Sequence, residues 1–159
     1  MSIIIRQGKP EDISQTKNHL IELWVEHSKH EPDLLDEEKM RNTDAESHYN
    51  KCLENPDKNF VFVAEDSGKI VGFLASYIDE IPAFFEHPTI LYLDEIFVLP
   101  DYRRQGVAQS LILQAENIAK EKGIKRIQAR VYTFNTGMHK FLESMGYRAP
   151  YATWDKTLE

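Results

Sequence analysis

The apolar run Thr89 to Val98 (TILYLDEIFV) stops at Pro100, and a helical spacing of apolar side chains begins soon after, at Val107. A run this rich in β-branched and aromatic residues reads as a strand. Val107, Leu111, Ala115, Ile118 and Ala119 share one face of a helix, with Lys120 and Lys122 in its last turn and Gly123 as its cap. A strand and an amphipathic helix joined by so short a turn pack against each other, which commits the chain to an α/β architecture. The strand also carries Asp94 beside Glu95. A carboxylate in an apolar strand is costly unless it is paired, which marks this strand as a candidate site.

Similar patterns organise the rest of the chain. Ser2 to Arg6 reads as a first strand, and Pro10-Glu11-Asp12 as a helix start with proline and acids in its first turn. Ile13, Leu20, Ile21, Trp24 and Val25 extend that helix to about Ser28, and a more polar second helix is expected from Asp36 to about Leu53. Asn59 to Glu65 and Lys69 to Ile78 form a hairpin around Asp66-Ser67-Gly68. After the central strand and its helix come a strand over Ile127 to Tyr132, a short helix over Asn135 to Ser144, and a last strand over Tyr147 to Lys156. The expected order is βααβββαβαβ. With 159 residues and no repeat or linker, the chain reads as one α/β domain over 1–159 with a mixed sheet.

The 42% apolar and 28% charged composition is that of an ordinary globular chain. No apolar stretch approaches the roughly 20 residues that span a bilayer, so no membrane role is expected. The N-terminus lacks the basic and apolar regions of a secretory signal, and Ser2 replaces the glycine that myristoylation needs. The single cysteine, Cys52, cannot form an internal disulfide, which suits a reducing cytoplasm. A net charge of −7 speaks against nucleic acid, which calls for a basic stripe, and is compatible with a cationic ligand.

The turn Arg103-Arg104-Gln105-Gly106 feeds directly into the helix beginning at Val107. The first N–H groups of a helix have no intrahelical acceptor and carry partial positive charge. Glycine allows a ligand to approach the backbone, and small Ala108 keeps the next turn open, so the site suits a diphosphate. Neither the Walker spacing nor GxGxxG is present. Arg103-x-x-Gly106-x-Ala108 resembles the Q/R-x-x-G-x-G/A motif of the GCN5-related N-acetyltransferase (GNAT) superfamily. The element order, Asn135 at the start of the late helix and Met145-Gly146-Tyr147 after it are also similar to that superfamily. LYLDEIFVLPDYR resembles the corresponding stretch of diamine (polyamine) and aminoglycoside acetyltransferases.

The resemblance implies a mixed, mostly antiparallel central sheet flanked by helices, with acetyl-CoA as cosubstrate and no metal. It implies that the amides of Arg104, Gln105, Gly106, Val107 and Ala108 hold the diphosphate, with Arg103 alongside. It places a strand bulge and the pantetheine-pairing backbone around Phe97 and Val98, strands four and five splayed apart, and Asn135 at the cofactor arm. Dimers are common in the superfamily, and nothing in this sequence marks an interface.

Acetyl transfer requires a neutral amine, whereas a free alkylammonium is mostly protonated at neutral pH, so a base must take that proton. A backbone N–H near Val98 is the simplest donor to the developing oxyanion. Strand alternation turns Asp94 and Glu95 to opposite faces unless a bulge intervenes. Asp94, which shares its face with Tyr92, is the preferred base and Glu95 the second choice. The position at which many relatives carry an acid tyrosine is Leu142 here; His139, Tyr132, Tyr147 and water are the alternatives, and a thiolate is a tolerable leaving group. His27 and Glu31 have a ligand-like spacing without a recognisable third ligand. The acidic run EPDLLDEEKM lies where the acceptor pocket is lined in this superfamily, and IPAFFEHP is either an acceptor cover, a partner surface or core. The sequence thus points to a small-molecule cationic amine acceptor, with a peptide or protein amine second. A non-catalytic acyl-CoA-binding module is the competing class.

Overall fold

The computed structural model describes residues 3–158. Strand β1 (Ile4–Gln7) is followed by a 3₁₀ turn and then α1 (Ile13–His30), α2 (Glu37–Arg41) and α3 (Ala45–Leu53). Strands β2 (Asn59–Asp66), β3 (Lys69–Glu80) and β4 (Thr89–Val98) come next, then α4 (Val107–Glu121), β5 (Ile127–Ala129) and α5 (Thr136–Ser144). The sheet order is β1-β2-β3-β4-β5, with every neighbouring pair antiparallel except β4 and β5, which are parallel. The expected fold class, a mixed and mostly antiparallel sheet between helices, is the one observed.

Each face of the sheet has its own core. Leu91, Leu93 and Val98 of β4 join Val107, Leu111, Ile112 and Ala115 of α4 on one side. Phe73, Ala75 and Phe97 join Leu20 of α1 and Ala45 and Tyr49 of α3 on the other. Burying a leucine or isoleucine is worth about 1.5–3 kcal/mol, so the stripe on α4 suffices to hold that helix flat against β2–β4. Gly72 permits this closeness: a Cβ there would lie 3.0 Å from the Phe97 carbonyl oxygen and 3.3 Å from Val107 Cγ1.

Three elements differ from the sequence expectation. The single helix expected over Asp36–Leu53 is two, because Asp44 leaves the helix and accepts the Ser47 N–H at 3.0 Å as the cap of α3. Asp36 caps α2 in the same way through the Lys39 N–H. Residues 147–158 form no strand. The Tyr147 N–H closes α5 on Leu142 O at 3.0 Å and its hydroxyl donates to Glu116 of α4, while Pro150 removes a ladder donor from the middle of the segment. Strand β5 is also shorter than the expected Ile127–Tyr132. The expected start of β1 at Ser2 lies outside the described residues. No helix among the described residues is long and apolar enough to cross a membrane.

Candidate active site

The site begins where β4 and β5 part. Their ladder covers Leu91, Tyr92 and Leu93 against Ile127, Gln128 and Ala129, and β5 then ends. On the other edge of β4 the pairing with β3 continues to Val98, with one register shift: Ser76 faces Leu93 and Ala75 faces Glu95, leaving Asp94 as the extra residue of a β-bulge. The bulge therefore lies at Asp94 and not around Phe97 and Val98 as expected.

Its position decides which backbone groups are free. The Leu99 N–H donates to Val71 O at 2.9 Å, and Phe97 opposite Phe73 has the same orientation two residues earlier. In an antiparallel ladder alternate residues turn their amides away from the partner strand, here Ile96 and Val98. These groups face the gap left by β5. Phe97, expected to offer unpaired backbone, is turned to β3, and its side chain is buried against His19 and Phe73. The Val98 carbonyl is taken by Arg103 Nε at 2.9 Å, which ties the turn to the strand.

The turn itself is held in a conformation that exposes its amides. Arg104 and Gly106 have φ values of 61° and 82°, and Gln105 Nε2 donates to Asp101 O at 2.7 Å. The first helical bond of α4 runs from the Ser110 N–H to Gly106 O at 2.9 Å. The N–H groups of Arg104, Gln105, Gly106, Val107, Ala108 and Gln109 have no hydrogen-bond partner among the described residues. Arg103 and Arg104 are exposed beside them. Successive free amides at a helix N-terminus, flanked by two guanidinium groups, form an anion cradle.

The bulge also redistributes the two acids. Glu95 points to the α1/α3 side, where Trp24 Nε1 donates to Oε1 at 2.6 Å and His48 Nε2 meets Oε2 at 3.0 Å. Its side chain is only 12% exposed. Asp94 has no hydrogen-bond partner among the described residues and lines the gap between β4 and β5 together with Glu95, Arg130, Met138 and Leu142. It remains open to solvent on one side. The gap still displaces enough water that burial, followed by repulsion from Glu95, raises its carboxyl above the ordinary value, with His48 and Arg130 opposing. The His48 imidazole is pushed up to about 10 by Cys52 and Glu95. The Cys52 contact is long, at 3.8 Å, so the 3.0 Å Glu95 contact is the stronger physical cause.

The remaining candidates are placed as follows. Asn135 caps α5, its Oδ1 accepting the Met138 N–H at 3.1 Å, which leaves its amide nitrogen and one oxygen lone pair for a ligand. His139 Nε2 is engaged with Tyr132 O, and the Tyr147 hydroxyl with Glu116, so neither group faces the gap. His30 stacks on Phe134 with centroids 4.3 Å apart and His27 packs on the same ring, which brings the end of α1 against the loop before α5. The acidic segment lines a separate open depression through Asp33, Asp36, Glu37 and Glu38. Phe85 lies under Arg126, at the far end of β4 from the turn. Sequence reasoning missed Trp24 and His48 as partners of Glu95. The demand that a strand carboxylate be paired was the only signal, and it does not say from where.

A five-stranded mixed sheet with a splayed β4/β5 pair, a bulged acidic strand and an amide-lined helix start together define one class of single-sheet α/β domain. The family model of the acetyltransferase (GNAT) family matches residues 18–147, and the chain belongs to that family. It is 34% identical over 99 residues to an uncharacterized N-acetyltransferase of Methanocaldococcus jannaschii, covering 62% of this chain and 43% of the relative. It is 30% identical over 88 residues to an aminoglycoside N(6')-acetyltransferase type 1 of Salmonella typhimurium, covering 54% of this chain and 60% of the relative. The chain thus spans about half the length of these relatives. A crystal structure of a mutant Bacillus halodurans protein superposes with a TM-score of 0.87 at 19% identity, over 98% of this chain and 99% of that one. AAC(6')-Iy in complex with the bisubstrate analogue CoA-S-monomethyl-acetylneamine superposes at 0.77 and 22%, over 100% and 99%. At these identities the two structures show a shared fold.

Proposed function

We propose that the protein is an acetyl-CoA-dependent N-acetyltransferase that moves the acetyl group directly to a primary amine of a small cationic acceptor, polyamine- or aminoglycoside-like. The observation that carries this reading is one continuous track of free backbone groups. It runs from the amides of Arg104 to Gln109, along the Val98 N–H and the backbone of Ile96, to the Asp94 carboxylate, which has no hydrogen-bond partner among the described residues. The amides and Arg103 and Arg104 hold the diphosphate, and Ile96 and Val98 pair with the amide-bearing arm. The cosubstrate supplies an acetyl group activated as a thioester. Asp94 takes the proton of the incoming ammonium, and its raised basicity favours that step. A backbone N–H of the open β4 edge faces the charge that develops on the acyl oxygen. Among the described residues, the other titratable groups lining the gap are Glu95 and Arg130. The thiol therefore leaves as the thiolate, which its pKa of about 8.5 allows.

The acidic bulge, the net charge of −7 and the resemblance to aminoglycoside acetyltransferases support this acceptor class. Thiol release from acetyl-CoA against polyamines, aminoglycosides, amino acids and short peptides tests it. Turnover with the first two classes is expected. Turnover with peptides alone would reassign the acceptor, and CoA binding without thiol release for any amine would indicate a non-catalytic module.

A further inference from the structure

Two helices that are distant in sequence from β4 converge on Glu95. Trp24 of α1 holds Oε1 at 2.6 Å, and His48 of α3 holds Oε2 at 3.0 Å. Trp24 and His48 meet edge to face with centroids 5.2 Å apart, so each ring fixes the other. Asp94 follows Leu93 in the bulge, on the gap that Glu95 also lines, and its carboxylate has no hydrogen-bond partner among the described residues. Two neighbouring carboxylates in a partly dry cleft disfavour each other's charge. An ion pair on one of them eases ionisation of the other.

We propose that His48 is a positioning residue for the transfer: as an imidazolium it neutralises and pins Glu95, leaving Asp94 as the one carboxylate free to take the amine proton. This rests on the function proposed above. Every element packed around the pair contributes to the electrostatics. Facing it are Trp24 from α1, His48 and Cys52 from α3, Tyr77 from β3, Tyr92 from β4 and Arg130 just after β5. The tyrosine hydroxyls are shifted upward, mainly by burial, and stay neutral in the working range. Arg130 is cationic throughout. His48 is thus the group around Glu95 whose charge can be removed without touching either carboxylate.

The test uses the full chain as wild type, His48→Gln, Glu95→Gln, Cys52→Ser and the His48→Gln/Glu95→Gln double variant. The primary readout is NMR of the Asp94 carboxyl carbon and of the histidine ring carbons across pH, which needs no turnover. In wild type the His48 ring is expected to stay protonated past pH 8, and in Glu95→Gln to titrate nearer the ordinary value of about 6.5. In His48→Gln the Asp94 midpoint rises by about one unit, and in the double variant it returns to the wild-type value or below. With kanamycin as acceptor, the acid limb of kcat/KM moves with that midpoint. His48→Gln then loses about tenfold below the limb and little above it. An Asp94 midpoint unmoved in folded His48→Gln overturns the proposal. So does a wild-type His48 that titrates near 6.5, a uniform loss at all pH, or a Cys52→Ser shift as large as that of His48→Gln. Should His48→Gln fail to fold, the His48 titrations in wild type and Glu95→Gln still decide. Absence of turnover with kanamycin would count against the acceptor class and leave the NMR result standing.

Discussion

Asp94 and Glu95 are chemically alike and adjacent, yet their surroundings give them different tasks. Both oxygens of Glu95 are bonded, and those of Asp94 have no partner among the described residues. Replacing Asp94 with Asn is therefore expected to lower kcat/KM by about 10²–10⁴-fold at neutral pH, the usual contribution of a general base, while CoA affinity changes little. Steady-state kinetics with calorimetric CoA binding checks this; a wild-type rate in that variant would remove Asp94 from the mechanism. The Glu95–His48 pair also has a thermodynamic consequence. The folded-state value of His48, about 10, lies above the ordinary 6.5. Its contribution to stability is fully present below about pH 6.5 and is lost as the pH rises through 10. The difference in Tm between wild type and His48→Gln should accordingly shrink from pH 6 to pH 10. A difference that stays constant would show that the ring acts by packing alone.

At the scale of elements, the short β5 and the bulged β4 form the gap, and the turn before α4 closes one end of it. Gly106 sits in the left-handed region at φ 82°, with open space where a Cβ would go. Gly106→Ala therefore acts through backbone conformation alone, at a cost of about 1–2 kcal/mol. Urea unfolding should show a loss of that order, and CoA binding should weaken by up to about tenfold as the amides turn away, since 1.4 kcal/mol is one decade. Full stability with unchanged CoA affinity would mean the amide cradle does not depend on that conformation. The strand, turn and helix of this unit were legible because period, proline and glycine are local signals. The division into α2 and α3 was not, because Asn42-Thr43-Asp44 interrupts the helix without a proline or glycine to announce it. The absent last strand had one overlooked warning, Pro150.

For the molecule as a whole, the sheet has a core on each face and opens only where β4 outruns β5. A chain of net charge −7 with a carboxylate pair at that opening attracts cations over distances comparable to the Debye length, about 8–10 Å near physiological salt. Raising ionic strength should then increase KM for a polycationic acceptor several-fold and leave kcat nearly unchanged. A KM that does not respond to salt would place acceptor recognition in short-range contacts only.

The sequence by itself determined the α/β class, the strand–turn–helix unit with its anion-suited glycine turn, and the presence of two acids on the central strand. Each of these follows from residues close together in the chain, where periodicity and backbone preference act directly. Only the tertiary structure decided that the bulge falls on Asp94, that Ile96 and not Phe97 offers its backbone beside Val98, and that Trp24 and His48 occupy Glu95. Those outcomes depend on the register between β3 and β4, the length of β5 and the approach of α1 and α3. They are long-range packing relations, and no local pattern of residues encodes them.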